Sequence, residues 1–184
     1  AFPQVRVLAL CETGSHVLWK WLIKSLRSSE LTMVPFLLRF LQSDMLLLWD
    51  RHFLTHATVS AVRARQAHLL ARITANRVFS PIQHLPDGSY LAKLYPCAVD
   101  RRRDRHGLLV RLIEYTLDDP PRPGTEERHR LLTTLLDAEV DPALTLVCLY
   151  HERWEEELTF DELKTHQRER PVLRSQTPAG VVQE

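Results

Sequence analysis

The sequence predicts an α/β fold, and three observations support this class. A short apolar run at residues 45–49 is followed by a helical pattern and by a second apolar run at residues 68–73. Runs of β-prone residues separated by turn residues occupy much of the segment 74–134. A further helical pattern begins at Asp141-Pro142. Because helices and sheets bury their apolar faces against each other, we expect a mixed sheet with helices packed on it.

The first forty residues predict a β-hairpin followed by a helix. Residues 5–10 and 16–22 are apolar runs separated by a turn sequence at residues 12–15, so a hairpin is the simplest interpretation. Residues 28–30 carry a helix start signal. The apolar residues that follow have the spacing of one helix face: Leu31, Val34, Leu37, Leu38 and Leu41. We expect this helix to pack on the sheet.

The apolar run at residues 45–49 ends at an acidic residue, Asp50. A short, wholly apolar run is typical of a central strand that is covered on both faces. Residues 55–67 then predict a helix, and residues 68–73 predict the next strand. Asp50 either caps the turn that follows the strand or places a functional carboxylate at the end of the sheet.

The segment 74–134 has the pattern of antiparallel strands joined by turns. Strands are predicted at residues 79–85, 90–95, 107–117 and 128–136, with a turn at 86–89 and a loop at 118–124. The densest basic cluster, residues 101–106, lies on a predicted loop of this segment. That cluster either follows a DNA backbone or is simply a solvated loop.

Composition limits the possible architecture and partners. With 184 residues, the chain can bury one core, or one core with an inserted subdomain. Its 24 basic and 23 acidic residues give a net charge of +1, so contacts with DNA must come from local patches. Cys11, Cys97 and Cys148 are predicted to be reduced, buried thiols. No membrane span or signal peptide is recognisable, so we expect a soluble, cytoplasmic protein.

Four residues near the end of the chain have a defined spacing. Tyr150, Arg153, Glu157 and Lys164 follow the pattern Y-x2-R-x3-E-x6-K. On a helix that runs through them, they fall within an arc of roughly 60°. The hydroxyl and the cations suit a phosphate backbone, and the carboxylate suits a divalent metal. A capping box at residues 159–162 leaves open a helix break before Lys164, and Arg153 with Glu157 is alternatively a surface ion pair.

Together with Asp50, this spacing resembles the DDE transposases of bacterial insertion sequences, in the group with the YREK signature. Residues 46–53 resemble the segment around the second catalytic aspartate of that family, and residues 2–6 and 172–178 extend the resemblance over nearly the whole chain. The resemblance implies a ribonuclease-H-like mixed sheet. It also implies a β-rich insertion between the second acid and the helix that carries Glu157.

The resemblance assigns a role to each of the five residues. Asp50 and Glu157 correspond to catalytic carboxylates that bind Mg²⁺, for which Mn²⁺ can substitute. Tyr150, Arg153 and Lys164 correspond to DNA-binding residues. The implied domains are residues 1–73 as the first part of the core, 74–134 as the insertion, and 135–184 as the core helices that carry the signature.

The first catalytic aspartate of the family lies on a strand upstream of the segment that begins at Ala1. We therefore expect that strand and its acid to be missing, and this fragment to be inactive by itself. The intact parent is expected to cleave and transfer DNA strands in DNA-mediated transposition, acting on transposon ends and target DNA as a homodimer. The alternatives are a catalytically inactive, transposase-derived DNA-binding or assembly module, and an unrelated α/β nuclease. The nuclease requires a third acid near Asp50.

Overall fold

The fold is mixed α/β, as the sequence predicts. The computed structural model describes residues 4–15, 17–74, 76–116 and 128–153. The chain falls into two units: one includes the residues up to Phe40 and those from Glu152 onward, and the other is Leu41–His151.

The first unit contains the predicted hairpin and the predicted helix. Strands β1 (Val5–Cys11) and β2 (Leu18–Ser25) pair antiparallel, and helix α1 (Glu30–Leu38) contacts both strands. The buried side chains of α1 are Met33, Val34, Leu37 and Leu38. Leu31, which the apolar spacing placed on this buried face, is 46% exposed. The predicted helix is therefore confirmed, with a buried face that begins at Met33, two residues later than expected.

The second unit begins with the predicted strand, helix and strand. Strand β3 (Leu46–Trp49) pairs in parallel with β4 (His68–Arg72), and α2 (His56–Arg63) connects them. A capping box between Thr55 and Thr58 starts α2, because each residue's side chain bonds to the other's backbone N–H. Helix α2 ends four residues before the predicted limit.

A six-stranded sheet runs through the described part of this unit. The remaining strands are β5 (Gln83–His84), β6 (Tyr90–Leu94), β7 (Leu108–Tyr115) and β8 (His129–Thr133). Their order is β3-β4-β8-β7-β6-β5, and every pair except β3 with β4 is antiparallel. Strand β3 was expected to be central. In the described sheet β3 is an edge strand.

Helix α4 (Ala143–Glu152) packs across one face of this sheet. The buried residues of this core are Leu70, Ile113, Leu131, Ala143, Leu146 and Tyr150, with Leu46 and Leu48 packed against them. Burying one leucine or isoleucine side chain contributes about 1.5–3 kcal/mol. The core therefore holds α4 over four strands, including the strand that precedes Asp50.

Two local predictions were wrong. Three arginines of the basic cluster, Arg101, Arg102 and Arg103, lie on a short helix, α3 (Ala98–Arg103), and not on a loop. Cys97 and Cys148 are exposed and not buried, although neither forms a disulfide bond. No helix in the described ranges is long and apolar enough to cross a membrane.

Candidate functional site

Asp50 lies directly after β3, and its side chain is 40% exposed. Its Oδ1 accepts a hydrogen bond from the backbone N–H of Arg51, which begins a 3₁₀ turn, and lies 3.8 Å from Nδ1 of His52. Within the described ranges, Oδ2 of Asp50 makes no hydrogen bond. Asp50 therefore caps the turn and also presents a carboxylate oxygen to solvent.

The backbone before Asp50 is held from both sides of the sheet. On one side, the buried ring of Trp49 packs edge-to-face on Phe53, with ring centroids 5.4 Å apart. On the other side, the hydroxyl of Tyr150 on α4 donates to the carbonyl oxygen of Trp49 at 3.2 Å. Tyr150 is only 3% exposed. This residue of the signature therefore contacts the peptide next to Asp50.

Of the other three residues of the signature, the structure describes only Arg153. Arg153 follows the end of α4 in a turn and is partly exposed. Glu157 and Lys164, together with the capping box predicted at residues 159–162, lie outside the described residues. The arrangement of all four residues on one face therefore stays a prediction.

A fully buried arginine on β7 binds the segment that leads into α4. Nε of Arg111 donates to Oγ of Ser89 at 2.8 Å, and Nη2 donates to the carboxylate of Asp87. Nη1 donates to the carbonyl oxygens of Asp137 at 3.2 Å and Asp141 at 2.6 Å. Since a buried charge is stable only when it is paired and hydrogen-bonded, these contacts fix the approach to α4.

The partner of this arginine, Asp87, also caps α4. Its Oδ2 accepts from the backbone N–H of Ala143, the first residue of the helix, at 2.8 Å. Burial raises the pKa of Asp87, but hydrogen bonds from the Ser89 side chain and from the backbones of Ala143 and Ser89, with the charge of Arg111, lower it by more than burial raises it. The net pKa is below the ordinary value, so the ionised form stabilises this junction.

Acid should weaken this junction. Because the pKa of Asp87 is lower in the folded state than in the unfolded state, the stabilisation is complete above about pH 4 and is lost as the pH falls through the folded value. We expect Asp87→Asn to remove this part of the acid sensitivity. Urea unfolding at pH 7, 4 and 3 should show a smaller loss of stability for the variant than for the wild type. Parallel losses in both proteins would contradict this role of Asp87.

Reasoning from the sequence missed both Arg111 and Asp87. A signal for Arg111 was present, because it is a charged residue inside the apolar run of β7, where a charge needs a buried partner. Asp87 was considered only as a turn residue. Its partners lie 24 and 56 positions away in the chain, and no local pattern reveals them.

The basic helix α3 is connected to the segment that follows Asp50. Nε2 of His56, at the start of α2, lies 2.8 Å from the carbonyl oxygen of His106, just beyond α3. Nη1 of Arg77 donates to the carbonyl oxygen of Leu54 at 3.2 Å. The exposed arginines of α3 are Arg101, Arg102 and Arg103. The turn that follows α3 is therefore in contact with the start of α2.

The described residues do not complete a metal site by themselves. Among them, no group of three His, Cys, Asp or Glu side chains is arranged to hold a metal ion. Asp50 is the carboxylate at the end of β3, and the second acid expected from the signature, Glu157, is not among the described residues.

Comparison with known proteins identifies the family. A family model described as "Transposase DDE domain" matches residues 1–184. The chain is 29% identical, over 190 residues, to the transposase InsG for insertion sequence element IS4 of Escherichia coli (strain K12). That alignment covers 100% of this chain and 41% of the relative, so the chain spans about two fifths of the relative's length. With a family match over its whole length, the chain belongs to the DDE transposases of insertion sequences.

Proposed function

We propose that this chain is part of the catalytic domain of a transposase that cleaves and transfers DNA strands in DNA-mediated transposition. The observation that carries the proposal is the exposed carboxylate of Asp50 at the end of β3, next to a helix that bears the first residue of the YREK signature. In this proposal Asp50 and Glu157 are the catalytic carboxylates. Transposon ends and target DNA are the substrates, and the whole protein acts as a homodimer in the bacterial cytoplasm.

The donor chemistry of Asp50 fits a divalent cation. Its side chain is 40% exposed and its Oδ2 makes no hydrogen bond within the described ranges, and Mg²⁺ prefers carboxylate oxygens while it retains waters and binds substrate phosphate. We propose that Asp50 and Glu157 hold Mg²⁺, for which Mn²⁺ can substitute. When bound, such a cation favours an in-line displacement at phosphorus by stabilising the attacking and leaving oxygens.

The other signature residues are proposed to position the protein and the DNA. Through its bond to the carbonyl oxygen of Trp49, Tyr150 fixes the peptide from which Asp50 projects, so its contribution to the DNA site includes the orientation of this acid. Arg153 and Lys164 are proposed to bind phosphates, Arg153 in a bidentate manner and Lys164 as a point charge. Such contacts position a strand without reading its sequence.

We further propose that the core has a ribonuclease-H-like fold. In this interpretation residues 1–73 and 135–184 form the core, and residues 74–134 are a β-rich insertion. The parallel β3-α2-β4 unit, which ends at Asp50, supports this interpretation. So does the run of antiparallel strands that separates β4 from α4.

Binding of Mn²⁺ to this chain tests the proposal directly. We expect Asp50→Asn and Glu157→Gln each to weaken Mn²⁺ binding by at least about tenfold, because each removes a negatively charged oxygen ligand. Titration followed by water-proton relaxation measures this affinity. Asp44→Asn is a matched control, since Asp44 is exposed and has φ of 65°, a conformation that asparagine tolerates. Equal affinity in all four proteins would contradict the metal assignment.

A further inference from the structure

Four neighbouring strands share a pattern at the end of the sheet where Asp50 lies. Each strand places an apolar residue beneath α4 and, two residues nearer this end, a polar residue. The pairs are Leu48 with Asp50, Leu70 with Arg72, Leu131 with His129, and Ile113 with Tyr115. Side chains two positions apart in an extended strand project from the same face. The three polar residues other than Asp50 therefore lie on the α4 face, at the same end as the catalytic acid.

These three residues form a chain of contacts that reaches α4. Nη2 of Arg72 lies 3.3 Å from Nδ1 of His129, and the rings of His129 and Tyr115 have centroids 5.4 Å apart. The hydroxyl oxygen of Tyr115 lies 3.2 Å from Nε2 of His151. Arg72, Tyr115, His129 and His151 thus form one partly exposed group, the histidine cluster, built from β4, β7, β8 and α4.

In the described part of the chain, Arg72, His129 and His151 form no ion pair with a carboxylate. Glu114, next to Tyr115, projects to the opposite face and pairs there with Arg130 at 3.0 Å. Burial lowers the pKa of His151, and its neighbours His129 and Arg72 lower it further, because a second positive charge beside them is unfavourable. This mutual repulsion is what an anion placed among the side chains would relieve.

We propose that the histidine cluster binds a backbone phosphate of the DNA strand that is cleaved at Asp50. The inference rests on the proposed function. Neighbouring strands lie about 4.8 Å apart, so the cluster extends from one to three strand spacings, about 5–15 Å, from Asp50. The guanidinium of Arg72 supplies a charged fork for phosphate oxygens, and the imidazoles and the hydroxyl supply further donors. The cluster holds the strand in register without reading its bases.

Histidine ring NMR of the whole chain, without metal, tests this assignment. We expect a short single-stranded oligonucleotide to shift the ring signals of His129 and His151 saturably. The signal of His84, which is exposed on the edge strand β5 on the opposite side of the sheet from β3, should stay unchanged. Arg72→Gln should weaken the binding about tenfold and reduce its dependence on salt, as expected for a lost phosphate contact. Arg65→Gln, which replaces an exposed arginine after α2, should leave it unchanged.

A second variant and a second ligand make the result decisive. His129→Gln should also weaken oligonucleotide binding, and inorganic phosphate at the same phosphate concentration should give smaller shifts. Equal shifts from both ligands would assign the cluster to a free anion and overturn the DNA assignment. Absence of ring shifts, or unchanged affinity in both variants, would overturn the proposal even where Mn²⁺ binding depends on Asp50. Conversely, if only the Mn²⁺ affinity were unchanged in the Asp50 and Glu157 variants, the metal assignment would be overturned and the phosphate site in the histidine cluster would still be supported.

Discussion

Under the proposed function, replacement of Asp50 by asparagine is expected to abolish DNA strand cleavage by a transposase that includes this chain. The change removes a negative charge from the proposed metal site and leaves the size of the side chain nearly unchanged. When several groups act as a unit in catalysis, removal of one typically lowers the rate by several orders of magnitude. We therefore expect the rate of cleavage to fall at least about a thousandfold. Cleavage of a fluorescently labelled duplex that contains a transposon end measures this rate.

Two further variants make this prediction specific. Glu157→Gln should reduce cleavage as strongly as Asp50→Asn, because both carboxylates belong to the same proposed site. Asp44→Asn should retain nearly the full rate, since this acid lies on the turn before β3, away from the strand end that carries Asp50. An Asp50→Asn variant that keeps more than about a tenth of the rate would contradict a role as metal ligand.

Replacement of Arg111 by methionine is expected to cause the largest loss of stability among single substitutions of polar residues. The variant removes the bonds to Ser89, Asp87 and two backbone carbonyls, and it leaves these groups without their partner in a largely buried position. Breaking a buried ion pair typically costs about 3–5 kcal/mol. Urea unfolding, followed by circular dichroism, measures this change in the free energy of unfolding.

An exposed arginine provides the control for this experiment. Arg65→Met should change stability by no more than about 0.5 kcal/mol, because Arg65 is exposed and its side chain forms no ion pair among the described residues. A loss of less than about 1 kcal/mol for Arg111→Met would show that the approach to α4 is held mainly by apolar packing. The predicted loss would show that the buried guanidinium fixes the start of the helix that contacts Trp49.

The elements that the sequence predicted well are those whose patterns are local. The hairpin of β1 and β2, the β3-α2-β4 unit and most strands of the sheet follow from the spacing of apolar residues and turn residues over short windows. The strand predicted at residues 79–85 is observed only at Gln83–His84. The position of β3 at the edge of the described sheet could not be predicted in this way, because an apolar run does not determine which strands pair with it. The exposure of Leu31 and of Cys97 also depends on tertiary packing, which a local pattern does not reveal.

The candidate site was predictable only in part, for a similar reason. Asp50 was found because an acid that follows a buried strand is visible in the sequence, and Tyr150 was found through a fixed spacing. The bond between Tyr150 and Trp49 joins residues 101 positions apart, so neither its existence nor the burial of the tyrosine could be foreseen. The histidine cluster likewise unites four separate elements.

The most direct test of the account is the distance between the carboxylates of Asp50 and Glu157 in a structure of this chain determined with Mn²⁺. Two carboxylates that share a metal site of this kind should lie about 4–8 Å apart, with the ion between them. That result would establish the paired acids on which the proposed function depends. A separation beyond about 12 Å in a well-ordered core would contradict it, because no single metal site can then include both acids.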